Sequence, residues 1–91
     1  MVKEAVNKYK ELAQELKSAQ KYDDLLQVYE LILPHQPTNL SMIKDVCILY
    51  LRRREPDNAI RTIQRYKVET EPQFSQLYDK AKLLKEALRK K

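Results

Sequence analysis

The 91-residue chain contains no glycine and no tryptophan, and only one cysteine, one histidine and one phenylalanine. Each scarcity removes a class of chemistry. Without glycine there is no flexible loop of the kind that closes backbone N–H groups around a nucleotide phosphate. A single cysteine, Cys47, cannot form an internal disulfide, and together with the lone His35 it cannot supply the four ligands of a structural zinc. No cofactor or metal is expected. Apolar runs are only a few residues long, far short of the roughly 20 needed to cross a bilayer. The opening MVKEAVNKYK also lacks the apolar stretch of a secretory signal. The expectation is an intracellular protein, cytoplasmic or nuclear, with no membrane span.

What remains is 43% hydrophobic and 34% charged, enough apolar surface for one modest core. The four prolines stand at 34, 37, 56 and 72, so the segments between them are free of both strong helix breakers. Net charge is +5 and unevenly spread: residues 1–39 carry −1, residues 40–72 carry +2 and residues 73–91 carry +4. Such a gradient attracts acidic peptides, phosphate backbones and anionic membranes alike.

Apolar spacing predicts five helices. Val6, Tyr9, Leu12, Ala13 and Leu16 recur at three- and four-residue intervals, placing them on one stripe of a helix that ends near Ala19. Asp23 and Asp24 suit the first turn of a second helix bearing Leu25, Val28, Tyr29 and Ile32, which Pro34 stops. Thr38 or Asn39 can cap a third, carrying Leu40, Ile43, Val46, Cys47 and Tyr50. Glu55-Pro56-Asp57 restarts the chain with proline in the first turn, ahead of Ala59, Ile60, Ile63 and Tyr66. Thr70-Glu71-Pro72-Gln73 has the form of a capping box for a fifth helix with Leu77, Ala81, Leu84 and Leu88.

These helices repeat. A shift of 34 aligns Tyr9 with Ile43 and Leu77, Ala13 with Cys47 and Ala81, and Leu16 with Tyr50 and Leu84. The period, and the run KYDDLLQVYELILPHQPTN with its aromatic Tyr22, acidic pair, Tyr29 and Pro37-x-Asn39 ending, resemble the tetratricopeptide repeat. The second unit departs from that pattern at Pro56, where the family has an aromatic residue, and neither unit carries the family's turn glycine. The resemblance implies an all-α fold, a five-helix antiparallel right-handed superhelical stack forming a single domain over 1–91. Repeats would span 6–39 and 40–73, with a capping helix over 74–91.

The resemblance further implies a concave groove lined by the leading helix of each unit. Carried over by position, that groove holds Asn7, Lys10, Gln14 and Lys17 from the first unit. Lys44, Ile48, Leu51 and Arg52 follow from the second, and Tyr78, Lys82 and Lys85 from the cap. It would be basic with an apolar centre, suited to an acidic or amphipathic segment of another protein. The family's clamp for a terminal carboxylate is not expected, because Gln14 and Asp45 stand where it uses asparagines.

Catalysis has little footing. His35 lies between two prolines with no acidic neighbour at helical spacing, Cys47 falls at a small-residue packing position, and Asp23 and Asp24 point to different sides of a helix. We therefore expect no enzyme and no small-molecule substrate, but a protein-binding module. The alternatives are a scaffold segment that self-associates into a homo-oligomer, and an RNA-binding repeat using Arg52, Arg53, Arg54, Arg61, Arg65 and the terminal Arg89, Lys90 and Lys91. Against nucleic acid, Tyr9, Tyr29, Tyr50 and Tyr66 are assigned to packing and leave few rings to stack on bases.

Overall fold

The structure, a computed structural model, describes residues 2–89. It is all-α: α1 (Val2–Ser18), α2 (Tyr22–Ile32), a 3₁₀ turn (Leu33–His35), α3 (Leu40–Arg52), α4 (Pro56–Arg65) and α5 (Pro72–Arg89), with no strand among the described residues. Helices of 10 to 18 residues are marginal alone in water, so each must be held by the face it buries. By contact density the chain divides into two compact units, Met1–Met42 and Ile43–Lys91, with the boundary inside α3.

In the first unit α1 packs on α2. From α1 come buried Val6 and Ala13, with Leu16 half-buried, and from α2 come Leu25, Leu26, Val28, Tyr29 and Ile32. The α-helix ends at Ile32, ahead of Pro34 as expected, and Leu33, fully buried, begins a 3₁₀ turn in which Pro34 occupies an early position, where a missing N–H costs nothing. Tyr9 and Leu12 depart from the expected packed stripe, remaining 37% and 41% exposed. Val6 and Ala13 mark the buried side of α1, and Tyr9 and Leu12 stand off it toward solvent.

Asn39, rather than Thr38, caps α3. Its Oδ1 accepts the Met42 N–H at 3.1 Å, and its Nδ2 donates to Gln36 Oε1 at 3.1 Å, fixing the cap from the preceding turn.

The buried residues of the second unit are Ile43, Val46, Cys47 and Leu49 on α3, Pro56, Ala59, Thr62 and Ile63 on α4, Val68 in the turn that follows, and Phe74, Leu77 and Ala81 on α5. Cys47 Sγ donates to the Ala59 carbonyl at 3.8 Å, joining α3 to α4 where a small side chain lets the backbones approach. Thr62 meets its burial by donating to the Asn58 carbonyl one turn back, at 2.8 Å. Glu55 precedes α4 and accepts from Asn58 Nδ2 at 2.8 Å, and Pro56 opens the helix as expected. The fifth helix opens at Pro72, so Thr70 stands one residue too early to be its cap. Proline's fixed φ sets the first helical position and overrides the capping-box register.

The turns repeat with the sequence. Ser18 and Arg52 end α1 and α3, and Tyr22 and Pro56 begin α2 and α4, thirty-four residues apart in both cases. After α1, the Lys21 N–H bonds the Leu16 carbonyl at 2.9 Å and the Gln20 N–H bonds that of Lys17 at 3.1 Å. After α3, the Glu55 N–H bonds Tyr50 at 2.9 Å and the Arg54 N–H bonds Leu51 at 3.0 Å. Both are Schellman closures, and a third follows α4, from Val68 to Ile63 and from Lys67 to Gln64. The residue each closure puts in the left-handed region is Gln20, Arg54 or Lys67, at φ 59°, 59° and 54°. The recurrence ends at the next junction, where α5 starts two residues earlier than the period requires.

Candidate functional site

The predicted partner-binding residues fall into three rows, one on each of α1, α3 and α5. Asn7, Lys10, Gln14 and Lys17 are all exposed and, at about 100° per residue, share one face of α1 in the first unit. On α3, Lys44 and Arg52 are exposed, while Ile48 and Leu51 are only half-buried. All four lie on the side of the helix turned away from its buried row of Ile43, Val46, Cys47 and Leu49. An amphipathic helix would ordinarily be polar there. Lys44 and Arg52 thus flank two aliphatic side chains with accessible surface.

On α5 the residues are drawn to different neighbours. Lys82 Nζ lies 4.8 Å from the centroid of the half-buried Tyr78 ring, a cation–π contact on the surface of the second unit. Lys85 reaches Asp57 at the start of α4, Nζ to Oδ1 2.9 Å, with both side chains about half exposed. Such a pair contributes less than about 1 kcal/mol, but it directs Lys85 toward α4.

Lys85 thereby belongs to a cleft of about 680 Å³ between the start of α4 and the C-terminal part of α5, which the reading of the sequence missed. Arg54, Arg61 and Arg89 line it with Lys85, and Glu55, Asp57 and Asn58 supply the remaining polar groups beside Pro56 and Leu88. The signal was available. Once α4 and α5 are taken as an antiparallel hairpin, cations early in α4 must face cations late in α5.

His35 is exposed at the end of the 3₁₀ turn, and the Cys47 thiol is buried under α4. Among the described residues, no group of three or more His, Cys, Asp and Glu side chains is placed to hold a metal ion. No described helix is long and apolar enough to cross a membrane. No family model matches the chain, and comparison with curated proteins and with solved structures finds no significant relative.

Proposed function

We propose that the chain is a non-catalytic protein–protein interaction module, an adaptor or scaffold element of the cytoplasm or nucleus, built as a two-unit tetratricopeptide-type stack closed by α5. Its partner presents an acidic or amphipathic segment to the leading helices. The observation that carries this reading is the half-buried pair Ile48 and Leu51, set between exposed Lys44 and Arg52 on the side of α3 opposite its buried row. Aliphatic anchors ringed by cations suit a partner helix or strand bearing both leucine-like and carboxylate side chains. The thirty-four-residue recurrence of helix ends and Schellman turns supports the repeat reading, because it requires backbone closures, not merely apolar spacing, to return in register.

The test is capture of partners from native extract by wild-type protein and by Leu51→Asp, with folding of the variant checked by circular dichroism. A charge buried in an anchor pocket should cost about 2 kcal/mol or more, roughly thirtyfold in affinity. Specific partners should therefore disappear with the variant and persist in moderate salt. Retention of the same partners by Leu51→Asp would remove the anchor, and loss that follows ionic strength alone would favour a phosphate backbone.

A further inference from the structure

The cleft between α4 and α5 has a charge balance that the partner-binding reading leaves unused. Its two carboxylates are already satisfied: Glu55 is bonded by Arg53 Nε at 3.1 Å and by Asn58 Nδ2 at 2.8 Å, and Asp57 is held by Lys85 at 2.9 Å. Arg54, Arg61 and Arg89 also line the space, and among the described residues none of the three has a carboxylate partner. They arrive from three places, a left-handed turn position, the second turn of α4 and the end of α5. The cleft is therefore made by the packing of α4 on α5 and is not a feature of one helix end. The α4 terminus itself offers little, since Pro56 has no N–H and the Asn58 and Ala59 amides already bond the Glu55 carbonyl.

We infer that this cleft is a second recognition site, taking a carboxylate-bearing peptide segment that also carries an aliphatic side chain. Guanidinium groups present paired N–H donors that match a carboxylate edge to edge, and three arginines, all exposed, line this one space. The cleft, about 680 Å³ and broadly open to solvent, exceeds what a lone anion would fill and leaves room for an extended segment to lie along it. Leu88, half-buried beside the buried Pro56, gives the lining an apolar component that a peptide's aliphatic side chain can use. The Asp57–Lys85 pair shows the same chemistry within the molecule, with a carboxylate seated on one of the lining cations. The inference rests on the protein-binding reading and adds to it where the partner's acidic groups go.

The experiment uses the 91-residue chain and a fluorescent hexapeptide of alternating glutamate and leucine, followed by anisotropy at low salt. Wild-type protein should bind it, and the matching glutamine–leucine peptide should not. Arg61→Glu and Arg89→Glu, at exposed positions where folding is undisturbed, should each weaken binding by about tenfold. Because the hexapeptide carries the side-chain classes that the α3 face also suits, it is titrated in the Leu51→Asp background as well. The cleft component should persist there and be lost on adding Arg61→Glu, while the native partner is lost with Leu51→Asp alone, so failure of the cleft and failure of the α3 anchor give different results. Wild-type affinity in both arginine variants would overturn the inference, as would no binding by wild-type protein. Tighter binding of an oligouridine than of the hexapeptide, lost in the same variants, would reassign the cleft to nucleic acid. Equal competition by inorganic phosphate would reduce it to a simple anion site.

Discussion

Gln20, Arg54 and Lys67 occupy the left-handed region, where a β-carbon crowds the following carbonyl oxygen at a cost of about 1–2 kcal/mol per residue. Schellman turns ordinarily put glycine there, and its absence from this chain means that three turns carry strain held by their closing hydrogen bonds. Gln20→Gly and Lys67→Gly should each raise stability by roughly 0.5–1 kcal/mol, the relief being partly offset by the greater freedom of glycine in the unfolded chain. Urea denaturation should show a higher midpoint at unchanged slope. An unchanged or lower midpoint would mean that the turns are not strained. Arg54 makes a less clean comparison, because its side chain also lines the α4–α5 cleft.

Among the elements, α3 depends most visibly on one polar side chain. Asn39 Oδ1 satisfies the Met42 amide, so Asn39→Ala should lower stability by about 1 kcal/mol, while Thr38→Ala should remain within about 0.5 kcal/mol of wild type. Equal effects of the two substitutions would assign the cap wrongly. Helix starts and stops were legible wherever a residue type dictates backbone geometry, as Pro56 and Asn39 do. They were misread where two local signals competed. Thr70 and Gln73 fit a capping box, but Pro72 between them fixes the first helical position. Pro34 correctly marks the end of the second α-helix, which stops at Ile32; what the proline alone does not announce is the short 3₁₀ turn that follows, led by the fully buried Leu33. Tyr9 and Leu12 carry the right spacing for a packed stripe, yet spacing gives the direction of a side chain and not how far it is covered. For the candidate site, the sequence singled out the α3 face because Ile48 and Leu51 break its polar pattern, and both side chains are half-buried there. It missed the cleft because Arg54, Arg61 and Arg89 come together only through the packing of α4 on α5.

For the whole molecule, partner binding and self-association make opposite demands on surface area. Among the described residues of the first unit, the large apolar side chains left exposed are Tyr9, Leu12 and Leu31, at 37%, 41% and 51%. Even joined into one patch they would amount to a few hundred Å² at most, which is ordinary for a monomer. A stable interface between two copies needs about 800 Å² from each partner. Leu83, 67% exposed on α5, is a single residue on a helix whose other exposed side chains are mostly charged or polar. The net charge of +5 adds mutual repulsion between copies at low salt. Light scattering coupled to size exclusion should therefore give 10.9 kDa at every loading concentration, in low and in moderate salt. A mass that climbs toward twice that value with concentration, and is restored to 10.9 kDa by Leu12→Glu, would instead make the α1 stripe a self-association surface. The scaffold reading would then gain ground at the expense of peptide binding through α3.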